Sequence, residues 1–231
     1  MTKPRIVMLH ATPVAMEPIS AAMAALWPEA EAVNLLDDGL SADRAAEGDG
    51  EVSEALSDRF LTLGAYAAGP MRAAGILATC SAFGAALDRL QGVSPIPVVK
   101  PNEPMFRAAI ASGSRIAMLA TFAPAVPSME DEFRELAAGI NPDARLESHV
   151  VPGAIAALRA GDAVTHNRLV VEAAAGLHGF DAIMLAHFST ARALAEVRAV
   201  TDTPVFAAPE AAVEAIRSQV EGLGSGFITN R

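Results

Sequence analysis

Two residues of this 231-residue sequence stand where proton chemistry is possible, Cys80 and His187. Cys80 is the sole cysteine, and the apolar run 73–78 leads into it. A small-residue helical pattern follows. A buried parallel strand reads this way when it ends in a loop that opens a helix. His187 follows a second run of the same kind, 182–186. The carboxyl ends of strands are where open α/β sheets bind ligands. A thiol and an imidazole on opposite faces of one carbon can each give or take a proton. A neighbouring imidazolium favours the thiolate. Donors aimed at a carboxylate or carbonyl stabilise the enediolate left when an α-proton or an α-carboxyl group departs, and no cofactor is then required. Plainer roles stand beside these, packing for a lone buried Cys and capping for a lone His.

The elements that would position the pair alternate. Strands are expected at 5–10, 32–36, 73–78 and 96–99, and again at 116–120, 145–150, 182–186 and 204–207. Helical patterns lie between them, including one over 51–68 and one from 127 to 138. Strands separated by helices of ten or more residues indicate a parallel sheet with right-handed crossovers. The two sets resemble each other. Arg5-Ile-Val-Met-Leu returns as Arg115-Ile-Ala-Met-Leu, an offset of 110. Gly75-Ile-Leu-Ala-Thr-Cys80 aligns with Ala182-Ile-Met-Leu-Ala-His187 at 107, as does Pro97-Val98 with Pro204-Val205. The expected architecture is an α/β fold of two pseudo-symmetric domains. Each is a mainly four-stranded parallel sheet flanked by helices, with the active site in the inter-domain cleft. The domains are drawn at 1–100 plus 208–231, the C-terminal helix packing back, and 101–207. Across that cleft Cys80 would stand opposite His187. Thr12 and Thr121 would line it from the first strand of each half. Ser81, Ser189 and Thr190 lie at helix starts, where hydroxyls and backbone N–H groups can hold a carboxylate.

Composition removes other classes. The net charge is −10, which argues against nucleic acid and anionic membrane surfaces. A single Cys leaves no intramolecular disulfide or multi-Cys metal site and suits a reducing compartment. No apolar stretch reaches the roughly 18 residues of a membrane span, and no signal segment is read at the amino end. The expected location is cytoplasmic. His149, His166 and His178 have no metal-ligand spacing and are taken as structural, so no metal is expected. His10 divides between the cleft and the core. The acidic stretch 37–50 is expected to be a loop, with a lid as the lesser alternative, and Lys100 a surface residue. The glycine-containing tail 222–226 is expected to be flexible.

These residues resemble the aspartate/glutamate racemase superfamily. That group includes glutamate, aspartate and hydantoin racemases, maleate isomerases and arylmalonate decarboxylases. Its first motif, Ala-Cys-Asn-Thr, reads Thr79-Cys80-Ser81-Ala82 here, and its second, Leu-Gly-Cys-Thr, reads Leu185-Ala186-His187-Phe188. Ala120-Thr121-Phe122 and Thr12-Pro13 occupy two further loops that the group uses for substrate. The resemblance implies two like α/β domains, no cofactor, a small carboxylate-containing substrate and a homodimer or higher homo-oligomer. It implies that Cys80 and His187 are catalytic. It adds Pro13, Ala82, Phe122 and Phe188 to the substrate contacts. This chain departs from it in carrying His187 where the two-thiol racemases have their second Cys. Three activities follow: racemisation by Cys and His, decarboxylation with Cys80 alone, or cis-trans isomerisation with Cys80 alone. A non-catalytic small-acid binding protein and a Cys-His hydrolase are the alternatives of other classes.

Overall fold

A parallel strand covered on both faces needs an almost unbroken apolar run. Four segments of this chain have one. In the computed structural model, which describes residues 3–48 and 52–226, they become the inner strands of two sheets. The chain forms two compact units. One comprises the described residues up to Pro101 together with those from Ala212, and the other is Asn102–Ala211.

In the first unit β1 (Arg5–His10) leads through a 3-10 turn (Pro13–Ala15) into α1 (Met16–Leu26) and β2 (Glu31–Leu36). Helices α2 (Gly39–Glu47) and α3 (Glu54–Ala68) precede β3 (Gly75–Ala78). A second 3-10 turn (Ser81–Phe83), α4 (Gly84–Val93) and β4 (Val98–Val99) complete it. All strands are parallel, in the order β2-β1-β3-β4. Every residue of β3 is buried, whereas β2, at the sheet edge, is largely accessible. Ser53 starts α3 by accepting a hydrogen bond from the Leu56 N–H. From it Phe60 reaches Phe83 at 4.9 Å between ring centroids, which anchors the turn after β3 in the core.

The second unit repeats the plan. It runs α5 (Glu103–Ser112), β5 (Arg115–Ala120), a 3-10 turn (Ala123–Ala125), α6 (Val126–Ile140) and β6 (Arg145–Val150). Then follow α7 (Ala154–Arg159), α8 (Ala163–Ala175), β7 (Ala182–Leu185), a 3-10 turn (Phe188–Ala193), α9 (Leu194–Arg198) and β8 (Val205–Ala207). The sheet order is β6-β5-β7-β8. Register repeats too. Ile6 pairs with Gly75 as Ile116 pairs with Ala182, and Ile76 with Val98 as Ile183 with Val205. The offsets of 110 and 107 seen in the sequence are thus one sheet built twice in the same register.

The last helix, α10 (Ala208–Gly226), lies on the first sheet through its residues beyond Ala212. A Cβ on Gly75 would sit 2.7 Å from Ile216 Cδ1, so glycine lets this helix pack against β3 without Ile216 having to shift. Arg217 fastens the helix by donating to the Leu26 carbonyl at 2.9 Å and lying over the Trp27 ring.

Two expectations are corrected. The acidic stretch contains a helix, α2, because its one large apolar side chain, Leu40, is fully buried and its charge is neutralised. Arg59 of α3 grips Asp37 with two nitrogens and Asp43 with the third. Residues 49–51 lie outside the described residues, and with them the expected helix start at Glu51. The tail 222–226 is helical, continuing α10. No described helix is long and apolar enough to cross a membrane.

Candidate functional site

The carboxyl edge of the first sheet carries Cys80. Leu9 of β1 pairs with Ala78 of β3, so the loops after both strands leave the sheet side by side. Thr12 and Pro13 stand on one, and Cys80, Ser81 and Ala82 on the other. His10 locks the two loops together. It is fully buried, with Nδ1 2.8 Å from Thr79 Oγ1 and Nε2 2.8 Å from Asn34 Oδ1. The amide oxygen only accepts, so Nε2 carries the hydrogen and Nδ1 receives the Thr79 hydroxyl. Burial lowers the His10 pKa, and the bond to Asn34 opposes that. His10 is therefore a neutral strut behind Thr79. Ser41 of α2 donates to the Ala11 carbonyl, which ties the helix within the acidic stretch to the same loop.

Cys80 has extended backbone, and the 3-10 turn begins directly after it. Its side chain is half-buried against the core of the unit. Burial pushes the thiol from an ordinary value of 9.0 up to about 11, while the Ala82 N–H donating to sulfur pulls the other way. The thiolate that a neighbouring imidazolium would favour is not the resting form. Desolvation outweighs the one hydrogen bond.

The second sheet repeats this edge with different groups. Leu119 of β5 pairs with Leu185 of β7, and the loops leaving them carry Thr121, Phe122 and His187. Thr121 and Thr190 are buried, their hydroxyl oxygens 3.3 Å apart. The Phe122 and His187 rings meet edge to face, centroids 6.4 Å apart. Phe188 is buried, and Ser189 is half-buried.

His187 is unusual in backbone and side chain. Its φ of 70° and ψ of 146° fall in a region that glycine enters freely and other residues enter at a cost of about 1–3 kcal/mol. Only Arg72 shares a positive φ among the described non-glycine residues. Neither buried ring nitrogen has a partner in good hydrogen-bonding geometry, and the Ala186 backbone only partly offsets the cost of burying the ring. Burial pushes the imidazole from 6.5 down to about 4, so the ring is neutral at pH 7. Backbone strain and unpaired buried polar groups cluster at functional sites in proteins generally.

One candidate residue escaped the sequence analysis. Arg159, exposed at the end of α7, holds its guanidinium 5.7 Å from the centroid of Phe122. Among the described residues it has no carboxylate partner. Nothing in its sequence context marks it, since only folding brings α7 to the loop after β5. Lys100 is committed to Asp88 at 2.7 Å. Among the described residues no three His, Cys, Asp or Glu side chains group as metal ligands. Three surface depressions of the units lie elsewhere. One of about 750 Å³ is lined by Arg5, Glu31 and Arg72–Ala74, at the amino ends of β1, β2 and β3.

A model of the Asp/Glu/hydantoin racemase family matches residues 7–177. No curated protein sequence matches the chain. Solved structures share its fold. A glutamate racemase from Bacillus anthracis superposes with a TM-score of 0.70 at 18% identity, over 97% of this chain and 84% of that one. An allantoin racemase from Klebsiella pneumoniae gives 0.70 at 18%, over 96% and 89%. An aspartate racemase from Picrophilus torridus gives 0.68 at 15%, over 95% and 94%. At such identities the likeness concerns the fold alone.

Proposed function

Because the chain belongs to the Asp/Glu/hydantoin racemase family, we propose that it is a cofactor-independent racemase whose proton acceptor and donor are His187 and Cys80. Its substrate is a small acid, amino acid or hydantoin, inverted at the carbon next to a carboxylate or carbonyl. The observation that carries this is the opposite tuning of the two groups, an imidazole held down to about 4 and a thiol pushed up to about 11. Titratable groups driven apart by their surroundings are assigned as base and acid. At pH 7 His187 has a free lone pair and Cys80 has a proton to give.

The steps follow. The Cα–H bond breaks and its proton passes to a His187 nitrogen. The electron pair moves onto the carboxylate or carbonyl oxygen as an enediolate. Ser81, Ser189, Thr190 and the backbone N–H groups at the two 3-10 turns supply donors to that oxygen. The Cys80 S–H then breaks and delivers its proton to the opposite face of the carbon. Imidazolium and thiolate remain, and transfer of one proton through solvent restores the neutral pair. Thr12, Pro13, Ala82, Thr121, Phe122 and Phe188 shape the surroundings of the substrate. Arg159 favours one that bears a second anionic group. The chain works as a homodimer or higher homo-oligomer in the cytoplasm, and light scattering on the purified protein tests the assembly.

A second reading has its own support. Cys80 is the only thiol, and it is held protonated, which is what a decarboxylase needs to quench the enediolate left by departing CO₂. Cis-trans isomerisation by thiolate addition is disfavoured by the same fact. Incubation with amino acids, hydantoins, malonates and maleate in D₂O decides. Deuterium at Cα with loss of optical activity, abolished in His187→Gln and in Cys80→Ser, is expected. CO₂ release from a malonate that persists in His187→Gln selects the second reading. Folded protein inert on the whole panel refutes both.

A further inference from the structure

Helix α5 packs on β7 and β8 and leads into β5. Its carboxyl end is fixed at the amino edge of the second sheet. Asp181, the residue before β7, accepts from the Ser114 and Arg115 N–H groups at 2.7 and 2.8 Å. A Cβ on Gly113 would run into the same Asp181 side chain, so helix end and strand start touch. A helix packed on the parallel strands it feeds runs antiparallel to them. The 10 residues of α5 rise about 15 Å. The extended chain from Asp181 to His187 covers about 20 Å. The start of α5 therefore comes out at the carboxyl edge of its sheet, the edge that carries His187 and Thr121.

Asn102 stands at that start, in the N-cap position. Asparagine is favoured there because its side chain can accept from the first turn. This one makes no such bond, although the residue is only 1% exposed. Among the described residues its Nδ2 has no partner. A buried amide donor left idle costs stability that an apolar side chain of the same size would not. Glu103, the acid of the first turn, is engaged by Arg107 at 2.8 Å. The slot is not shared by the other half. The offset of 107 places Pro209 opposite Asn102 in sequence, and proline brings no side-chain donor.

On the proposed reading of this edge as the substrate site, we infer that Asn102 binds substrate: its Nδ2 donates to a carboxylate oxygen. A charged oxygen that only accepts is what an unpaired amide donor and the positive end of a 10-residue helix both favour. Within the substrates proposed above, this contact selects acids that carry a free carboxylate over the uncharged ring of a hydantoin.

NMR on the full-length ¹³C,¹⁵N-labelled protein at pH 7 observes this amide directly, its NH₂ signals assigned through the Asn102 Cβ and so without a variant. Sodium malonate is titrated in, with sodium chloride at matched ionic strength as the control and hydantoin as the uncharged probe. A saturable downfield movement of the Asn102 NH₂ protons is expected with malonate and not with chloride. Hydantoin should bind at least about 10-fold more weakly. The malonate Kd should rise about 10–100-fold in Asn102→Leu, as loss of a hydrogen bond to a charged group requires. Asn102→Ala takes its place if the Leu variant does not fold. Signals that do not move, that move equally with chloride, or a Kd unchanged in the variant overturn the inference, as does hydantoin bound as tightly as malonate. The titration needs no turnover, so failure of the racemase reading, seen as no deuterium at Cα across the substrate panel, is a separate result.

Discussion

Replacing His187 by glycine and by alanine separates its backbone from its side chain. Both variants delete the imidazole, so lost contacts and the removal of two unpaired nitrogens cancel in the comparison. What differs is the response to φ 70° and ψ 146°. Alanine keeps the strain of about 1–3 kcal/mol, and glycine releases it. Against that, glycine gives back about 0.4–1 kcal/mol through its freer unfolded chain. The glycine variant should be the more stable by about 1–2 kcal/mol, the reverse of the usual order of the two residues. For a chain of this size each kcal/mol moves Tm by about 2–4 °C, so the glycine variant should melt about 2–8 °C higher. Differential scanning calorimetry at pH 7, with both proteins at one concentration, makes the measurement. Equal melting points, or alanine above glycine, would refute the claim that this backbone is strained. Neither variant should incorporate deuterium at Cα.

Cys80 should react slowly with iodoacetamide at neutral pH, its rate rising toward about pH 11, and a half-maximal rate below pH 8 would contradict its burial. Its raised pKa contributes stability that is complete below about pH 9.0 and is lost as the pH rises through about 11, a loss absent in Cys80→Ser. His187 runs the other way. Its depressed pKa contributes stability above pH 6.5 that is lost as the pH falls through about 4, so denaturant titrations across that window should be flatter for His187→Gln. Arg159→Gln should raise KM for an anionic substrate about 10-fold while Tm moves little, and an unchanged KM would remove Arg159 from the site. Gly75→Ala should cost about 1–3 kcal/mol, because the new Cβ would meet Ile216 at 2.7 Å, and chemical denaturation measures it.

Both sheets were legible because their inner strands are buried on both faces and written in apolar runs. The strand expected at 5–10 matches the one observed, and the one expected at 116–120 begins one residue earlier, at Arg115. Helix α2 was missed because its helical signal is carried by Leu40 alone. The acids around it read as a solvated loop until Arg59, 22 residues beyond Asp37, neutralises them. The placement of Cys80 and His187 at strand ends came from local pattern and the repeat. Their protonation states did not, because desolvation belongs to the folded surroundings. Arg159 was hidden for a related reason. It acquires meaning from a residue distant in sequence, Phe122.

The shared register of the two sheets bears on how such a chain changes over generations. Position 80 and position 187 are the same slot in two copies of one scaffold, each fixed by its own strand pairing. A point mutation in either slot rewrites one reactive group and leaves the strand ladder beneath it alone. Thiol, imidazole, hydroxyl or hydrogen can be tried on one side while the other holds its inheritance. A small combinatorial library at these two codons would therefore vary the groups at both strand ends without altering the strand pairing that holds them.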